Sequence, residues 1–482
     1  MTPPGEREPE SVHEHKALHE DSKFATAKIA IFQYLTVIVF MLLIARFWDL
    51  QVKNPAVYQE RADQNRIRAV PVPAPRGKIL DRDGRVIVDN HSSYTLLLNR
   101  ENLKTAHLHE IADGLNLDYG QLMARLDKFR KRPTYEPVII KEELTPQELE
   151  FVEAHRDPGT FPELTLIRAQ RRLYPRDGLA AHVIGTVGEV SESELDLPEF
   201  AKYQQGEVIG KDGLERQYND TLMGVDGQRR VVVDNMGRER AVLDDKPAVP
   251  GRDLQTTLDL DLQVVTELAL EGREGAVVAL DPRTGEVLAM ASRPAFDPNL
   301  FAARIRTKDW NALLDNPEKP MLNRAIQAQL APGSTFKPFM AMAGLESGLI
   351  DDGFHVHCSG GATFYGRWFK CWNKHGHGDV DVHKGIVQSC DVFFYTVGNR
   401  LGIDMIAKYA ELAGFGHKTG IDLPHEADGI MPSTRWVMRN YHRKWYAGET
   451  ISVSIGQGAV AVTPLQLASA IGGIVSPAYH FR

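Results

Sequence analysis

Cysteine is scarce in this chain, and dense runs of basic residues are missing. Only 3 of the 482 residues are cysteines, and all three lie between Cys358 and Cys390. A secreted scaffold held together by disulfides uses more cysteines and spreads them along the chain, so that class is excluded. The formal net charge is −8, and together with the lack of a basic cluster it argues against a nucleic-acid-binding protein.

The remaining composition is that of a folded protein. Hydrophobic residues make up 43% of the chain and charged residues 25%, which is typical of globular domains rather than of disordered segments. A length of 482 residues exceeds one ordinary domain and predicts two or three.

Charge is absent from one stretch near the N-terminus, Ile29 to Ala45. Its length reaches the lower limit for a membrane-spanning helix. A cleaved signal peptide has a similar apolar core, but this run ends in Arg46-Phe47-Trp48 instead of a small-residue cleavage site, and its leader is long and acidic. We therefore predict an uncleaved anchor over residues 29–48, preceded by a polar tail over residues 1–28. Basic residues flank the run almost equally, so counting positive charges does not fix its orientation.

Local patterns divide the rest of the chain. "KILDRDGRVIVDN" predicts two strands around the Asp83-Gly84 turn, and "GAVVALDPRTGEVLAMAS" predicts a second hairpin. Between Leu103 and Arg156 the apolar spacing predicts helices. Pro250-Gly251 marks a linker. We place one domain over residues 49–252 and a second over residues 253–482.

The segment "APGSTFKPF" places Ser334 and Lys337 three residues apart behind a Pro-Gly break. On a helix these positions share one face. A serine at a helix N-terminus is well placed for nucleophilic attack, because the terminal N–H groups and the helix dipole stabilise developing negative charge. Lys337 could serve as the base if its amine were neutral. A capping serine beside a solvated lysine has the same spacing, so this motif alone is weak.

A second motif strengthens the first. "VQSCDVFFYTVG" carries Ser389 and Asp391 ahead of an apolar run. A hydroxyl and a carboxylate two residues apart can both face a cleft, relay a proton and hydrogen-bond the lysine, although plain helix capping is the alternative. The motifs S-x-x-K, S-D-N and K-T-G together form the penicillin-recognising set.

These motifs identify a resemblance to the class B penicillin-binding proteins, and within them to the penicillin-binding protein 2 group of cell elongation. The resemblance runs from the anchor to the end of the sequence. It is carried in order by "RGKILDRDG", "YPRDGLAAHVIGTVGEV", "GLERQYNDTLMG", "LDPRTGEVLAMASRPAFDPN", "APGSTFKPF", "GFGHKTGIDLP" and "SIGQGAVAVTPLQLA".

The resemblance implies a serine D-Ala-D-Ala transpeptidase that cross-links peptidoglycan stem peptides and is acylated by penicillins. It implies that Ser334 is the nucleophile, that Lys337 is the base, and that Ser389 and Asp391 form the second element, where most relatives have Asn. The implied fold is α+β and multidomain: a transmembrane helix, an elongated pedestal and an α/β transpeptidase domain like the serine β-lactamases.

The resemblance also implies partners and a location. The partners would be stem peptides, β-lactams, a SEDS-type glycan polymerase and scaffold proteins of the elongation machinery. The chain would cross the inner (cytoplasmic) membrane once, with its tail in the cytoplasm and its catalytic domain in the periplasm. A β-lactam sensor or hydrolase is an alternative, which the long pedestal disfavours.

A literal K-T-G occurs at Lys418-Thr419-Gly420. The family's catalytic K-T-G lies on a strand far beyond Ser389, whereas this one follows "GFGH" and precedes "IDLP", a structural loop in the family. We therefore reject it as catalytic. Relatives continue beyond "TPLQLASAIGG" into that strand and a final helix, so we expect this chain to lack the last strands and helix of the domain. A catalytically impaired scaffold of the wall machinery is then a further alternative.

The three cysteines lie in a histidine-rich stretch. Three thiols and one imidazole make a Cys₃His zinc set, whereas a disulfide would leave one thiol unpaired, so zinc is favoured over the disulfide. Relatives hold a metal with two Asp, one His and one Cys. The resemblance maps a structural zinc, one per chain, onto Cys358, Cys371, His377 and Cys390. Spacing alone does not choose His377 over His375.

Overall fold

The structure is a computed structural model, and it describes most of the chain. The described residues are 22–53, 67–131, 134, 137–155, 160–198, 200–203, 206–233, 239–303 and 305–476. Most of the predicted tail over residues 1–28 lies outside them. By its internal contacts the chain forms two units, residues 1–70 with 230–244 and residues 71–229 with 245–482.

The first unit contains the predicted anchor. The apolar run forms the helix Ser22–Trp48, which continues into a short π-helix, Asp49–Lys53. Its side chains from residue 29 onward face outward: Phe32 is 70% exposed and Tyr34 72%. Among the described residues, Ile29–Lys53 is the one helical segment long and apolar enough to cross a membrane. A three-stranded sheet follows, in the order Ile67–Val72, Gly227–Val233, Glu239–Lys246.

The N-terminal part of the second unit is built on a twisted sheet. Ile79 pairs with Val88 across the predicted Asp83-Gly84 turn, where Gly84 adopts a φ of 82°. The strand Val86–Leu98 is the centre of this sheet, and it pairs with the strand Leu164–Leu173 along ten residues. The other strands of the sheet are Ile79–Leu80, Val138–Lys141 and Leu254–Gln255.

The helices predicted between Leu103 and Arg156 are confirmed at His107–Gly114, Tyr119–Lys128 and Pro146–His155. Val138–Lys141 corrects that expectation, because it is a strand paired with the end of Val86–Leu98. The sequence Val-Ile-Ile has the β-branched character that favours an extended backbone. The helices pack on the sheet around a core of Leu96, Leu98, Leu108, Ile111, Leu122, Val152 and Phe161.

Short elements connect this sheet to the C-terminal part. The helices are Ala181–Ile184, Glu192–Leu195, Gly213–Gln217 and Asn219–Leu222, and the strands are Val187–Glu189 and Val208–Gly210. Two 3₁₀ turns, Arg100–Asn102 and Arg176–Gly178, precede these elements in the chain.

The C-terminal part begins with the helix Leu260–Ala269 and the second predicted hairpin. The strands Gly275–Leu280 and Val287–Arg293 pair antiparallel, as expected. Two further antiparallel pairs follow, Val356–Cys358 with Gly378–Val380 and Gly361–Phe364 with Arg367–Lys370. The remaining helices are Asn299–Ala302, Thr307–Leu314, Arg324–Gln327, Lys337–Glu346, Val382–Val387, Asp391–Leu401, Ile403–Leu412, Thr434–Tyr441, Ala447–Val453 and Pro464–Val475.

Two of these helices build the core of this part. The helix Asp391–Leu401, called the central helix below, buries Val392, Phe393, Phe394 and Val397 almost completely. A helix that is apolar on most sides is expected to be surrounded by other elements. It packs against the helix Lys337–Glu346, called the Lys337 helix below. Their packing brings residues from two distant sequence motifs together.

Candidate active site

Ser334 lies in a tight turn at the start of a buried helix. The 3₁₀ segment Gly333–Phe336 runs directly into the Lys337 helix. Gly333 has a φ of 58°, and its N–H donates to the carbonyl of Gly456 at 2.8 Å. A Cβ at Gly456 would lie 2.2 Å from the Gly333 carbonyl oxygen, so only glycine permits this approach. The segment "SIGQG", which contains Gly456, carries only the family resemblance. Sequence reasoning missed that Gly456 shapes the Ser334 turn.

Lys337 is buried, with 1% of its surface exposed. Its Nζ donates to three oxygens: the Ser389 carbonyl at 2.9 Å, the Ser389 Oγ at 2.9 Å and the Asp391 Oδ1 at 2.6 Å. These contacts occupy all three donors of an ammonium group. The solvated lysine considered as an alternative is therefore wrong.

Ser389 connects the lysine with the first serine. Its hydroxyl donates to the Ser334 Oγ at 2.9 Å while it accepts from Lys337. The spacing of Ser334 and Lys337 predicts that their side chains lie next to each other on a helix, but the described contact between them runs through Ser389. Ser389 has a φ of 51°, a left-handed conformation that is uncommon for a residue other than glycine.

Asp391 begins the central helix, and both of its carboxylate oxygens are used. Oδ1 accepts from Lys337, and Oδ2 accepts from the backbone N–H of Trp372 at 2.9 Å. The Trp372 indole N–H donates to the Ser389 carbonyl at 3.0 Å and to the Gln388 carbonyl at 3.1 Å. Ser334, Lys337, Ser389 and Asp391 thus form one connected group, called the Ser–Lys cluster below. Sequence reasoning missed Trp372, which carries no motif signal of its own.

A second group of side chains lies directly beside this cluster. The ligand atoms of Cys358, Cys371, His377 and Cys390 all lie within 4.8 Å of one another. His377 Nδ1 is 3.7 Å from the Cys358 Sγ and 3.6 Å from the Cys371 Sγ. Tetrahedral zinc with Zn–S of about 2.3 Å and Zn–N of about 2.0 Å separates sulfur and nitrogen ligands by about 3.5 Å. The two sulfur–nitrogen distances are therefore close to those of a tetrahedral site, and the four donors are the residue types that zinc binds.

The chemistry of the donors agrees with this fit. All three cysteines are buried free thiols. Burial raises the pKa of the Cys390 thiol to about 12, and a coordinated metal ion would counter this effect because it stabilises the thiolate and displaces the proton. Burial also lowers the pKa of His377, which favours the neutral imidazole that a metal binds. His375, which spacing could not distinguish from His377, is exposed on the same loop and is absent from the group of four.

The literal K-T-G lies in a loop outside the described strands and helices. Glu426 is buried and accepts from the Thr419 N–H at 2.7 Å, from the Thr419 hydroxyl at 2.6 Å and from the Gly420 N–H at 3.2 Å. The hydroxyl of this threonine is therefore engaged in holding its own loop, in agreement with the reading of the loop as structural.

Comparisons with known proteins follow the same organisation. A family model described as the penicillin binding protein transpeptidase domain matches residues 275–478, and one described as the penicillin-binding protein dimerisation domain matches residues 71–256. Peptidoglycan D,D-transpeptidase MrdA of Acinetobacter baumannii is 39% identical over 466 residues, covering 94% of this chain and 68% of that protein. The MrdA of Escherichia coli K12 is 35% identical over 463 residues, covering 92% and 72%.

The chain belongs to the penicillin-binding protein 2 group of the class B penicillin-binding proteins. Like the named relatives, it is a peptidoglycan D,D-transpeptidase, a serine-type D-Ala-D-Ala acyl-transfer enzyme of cell-wall cross-linking. The scaffold and the β-lactam sensor or hydrolase are not favoured. The expected fold class is confirmed for its three parts, an N-terminal apolar helix, a dimerisation domain and an α/β transpeptidase domain. The expectation that the last strands and helix are lacking stays a prediction.

Solved structures of penicillin-binding proteins 2 agree with this assignment. A complex between penicillin-binding protein 2 and MreC from Helicobacter pylori superimposes with a TM-score of 0.76 at 29% identity, covering 85% of this chain and 78% of that chain. Penicillin-binding protein 2 of Pseudomonas aeruginosa in complex with WCK 5153 gives 0.62 at 31% identity, covering 84% and 70%. A structure described as a peptidoglycan synthase complex that coordinates polymerization and crosslinking gives 0.65 at 33% identity, covering 94% and 78%.

Proposed function

We propose that Ser334 is the acylated nucleophile of this transpeptidase, that Ser389 relays its proton and that Lys337 receives it. The observation that carries the proposal is the unbroken hydrogen-bonded path from Ser334 through Ser389 to the buried Lys337. Asp391 holds the lysine at the end of this path. Hydroxyl hydrogens rotate, so the same two contacts can carry a proton in either direction.

The reaction then runs as two acyl transfers. Ser334 Oγ attacks the carbonyl of the penultimate D-Ala, its proton passes to Ser389, and the Ser389 proton passes to Lys337. For this step Lys337 has to be the neutral amine, with its lone pair toward Ser389 Oγ in place of the N–H that donates there. Breakage of the C–N bond leaves an ester on Ser334, and the departing D-Ala amine takes the proton back from Lys337, which leaves the lysine neutral again. The amine of a neighbouring stem peptide next attacks the ester and loses a proton to the same relay. As the new amide forms, the ester C–O bond breaks and the relay returns that proton to Ser334 Oγ.

Ser334 lies just before the Lys337 helix, and this position supports its proposed role as the nucleophile. The negative charge of the tetrahedral intermediate develops beside backbone N–H groups at the N-terminal end of the Lys337 helix, where the helix dipole is favourable. Phe394 covers Lys337, with its ring centroid 5.7 Å from Nζ. The lysine is thereby shielded from bulk water, which strengthens its polar contacts.

Zinc is proposed as a structural ion held by Cys358, Cys371, His377 and Cys390. The four donors are buried or half-buried, and the ligand shell they offer is closed, as in structural sites. Cys390 lies between Ser389 and Asp391, and Cys371 precedes Trp372, whose N–H donates to Asp391. The ion would fix Cys390, which precedes Asp391 in the chain, and Cys371, which precedes Trp372. It would take no part in acyl transfer.

The helix Ser22–Trp48 is proposed as a single-pass anchor in the inner (cytoplasmic) membrane. Its exposed apolar side chains and the length of Ile29–Lys53 support a membrane span. The tail would then be cytoplasmic and the catalytic part periplasmic, where peptidoglycan stem peptides and β-lactams are accessible.

Partners of the elongation machinery are proposed from the similar structures. One of these is described as a complex with MreC and another as a peptidoglycan synthase complex. We infer that this chain works beside a SEDS-type glycan polymerase and an elongation scaffold protein of that kind.

Covalent labelling with a fluorescent penicillin tests the proposed roles. Ser334→Ala should abolish labelling, and Lys337→Ala should slow it by several orders of magnitude, because nucleophile and base act as a unit. Lys418→Ala, in the literal K-T-G, is the matched lysine control and should label at the native rate. Labelling that survives in Ser334→Ala would place the nucleophile elsewhere, and rapid release of hydrolysed drug would favour a hydrolase.

A further inference from the structure

We propose that Trp372 is a positioning residue that holds Ser389 in its relay conformation. This inference deepens the proposed function and rests on it. The Trp372 indole N–H donates to the Ser389 carbonyl at 3.0 Å and to the Gln388 carbonyl at 3.1 Å, while its backbone N–H donates to Asp391 Oδ2 at 2.9 Å. One residue thus binds both halves of the Ser-x-Asp motif.

The conformation of Ser389 explains why such a hold is needed. Its φ of 51° lies in a region that side-chain-bearing residues enter at a cost, so the surrounding structure must impose it. The turn is also held by its own backbone, since Ser389 N donates to Ile386 O at 3.1 Å and Cys390 N to Gly385 O at 2.9 Å. The Ser389 carbonyl accepts from Lys337 on one side and from Trp372 on the other. A change in this turn would move Ser389 Oγ away from the 2.9 Å contacts that form the relay.

Exposure of Trp372 argues against a role in the core. Its surface is 64% exposed, although a large aromatic residue contributes most to stability when it is buried. Its ring packs beside His377, with centroids 5.4 Å apart, and the N–H edge points at the Ser-x-Asp turn. Trp368, four residues earlier, is similarly exposed at 53% and lies on the strand Arg367–Lys370 beside Gly361. It offers a matched control.

Two substitutions that remove the indole N–H test the proposal. Trp372→Phe keeps an aromatic ring, and replacing Trp372 by 3-benzothienylalanine keeps the ring shape while exchanging the N–H for sulfur. The acylation rate constant with fluorescent penicillin should fall about 5-fold to 10-fold, the size expected for one lost neutral hydrogen bond. The dissociation constant of the drug before acylation and the melting temperature should stay near native. Trp368→Phe should behave as native in every measurement.

Hydrogen exchange gives a readout that does not depend on acylation. The peptide spanning residues 385–391 should exchange faster in both Trp372 variants and at the native rate in Trp368→Phe. Native exchange of this peptide in Trp372→Phe would overturn the proposal. A fall in drug affinity and melting temperature that accompanies the fall in the acylation rate constant would overturn it too. If the native protein is not labelled, or Ser334→Ala is, the proposed function fails, while the exchange data still decide whether Trp372 holds the turn.

Discussion

At the scale of single residues, the carboxylate of Asp391 satisfies two donors that an amide cannot satisfy together. Lys337 Nζ donates to one oxygen and the Trp372 backbone N–H to the other. An asparagine offers one acceptor oxygen and one NH₂ group. Its NH₂ would therefore face one of these donors, so the two contacts together require a carboxylate at this position.

Asp391→Asn is accordingly expected to impair this protein. Leaving one buried donor without an acceptor costs about 1–3 kcal/mol, so the free energy of unfolding should fall by that amount, and penicillin acylation should slow about 10-fold or more. Stopped-flow acylation and thermal melting measure the two effects. Asp352→Asn, on the exposed loop before the strand Val356–Cys358, is the control. Native rate and stability in Asp391→Asn would contradict the two-acceptor argument.

At the scale of elements, the segment from Cys358 to Cys390 supports the start of the central helix. Its two strand pairs are short, and Val356–Cys358 with Gly378–Val380 form only three residue pairs. Strands of this length contribute little stability alone. Lys384 adds hydrogen bonds to the carbonyls of His377 at 2.7 Å and Asp379 at 2.9 Å. A metal ion bound by the four clustered donors would supply the missing cross-links.

Zinc content and melting temperature test whether a metal ion stabilises this segment. Purified protein should carry about one zinc per chain, and His377→Ala or Cys371→Ser should lower both metal content and melting temperature. His375→Ala removes an exposed histidine from the same loop and should change neither. Metal-free protein with a disulfide between two of the three cysteines would contradict the zinc assignment.

At the scale of the whole molecule, the segment around residues 177–184 joins the sheet-rich part to the catalytic part. His182 is buried and bonds to the Pro320 carbonyl at 2.7 Å through Nε2. Ala180 N donates to Glu267 Oε1 at 2.9 Å, and Glu267 pairs with Arg293 at 2.6 Å. These contacts lie within one compact unit, residues 71–229 with 245–482. The domain boundary at residue 252 stays a prediction.

His182 should make the stability of this junction depend on pH. Burial lowers the pKa of His182 to about 4, whereas an unfolded chain protonates histidine near about pH 6.5. Unfolding therefore takes up a proton between these values, and the free energy of unfolding should fall by about 2 kcal/mol from about pH 7.5 to pH 5. His182→Gln should flatten the decline in melting temperature, and the exposed His383→Gln should not. The same decline in His182→Gln and native protein would rule out this histidine as the cause.

Much of the fold could be predicted from sequence because its elements are encoded locally. The helix Ser22–Trp48 follows from an uncharged run, and both hairpins follow from turn residues between alternating apolar stretches. The strand Val138–Lys141 could not be separated from the helices around it, because a four-residue strand carries too little periodicity and gains its partner from residues about forty positions earlier.

The sequence by itself determined which residues compose the candidate site. Ser334, Lys337, Ser389, Asp391 and the four clustered donors were all predicted from motifs, spacing and family resemblance. Tertiary structure alone decided how they connect: Ser389 stands between Ser334 and Lys337, Trp372 holds the Ser-x-Asp turn, and Gly456 permits the Ser334 turn to approach. The reason is physical. Spacing along a helix fixes neighbours three or four residues apart, whereas these contacts join segments that only the packing of the Lys337 helix against the central helix brings within hydrogen-bonding distance.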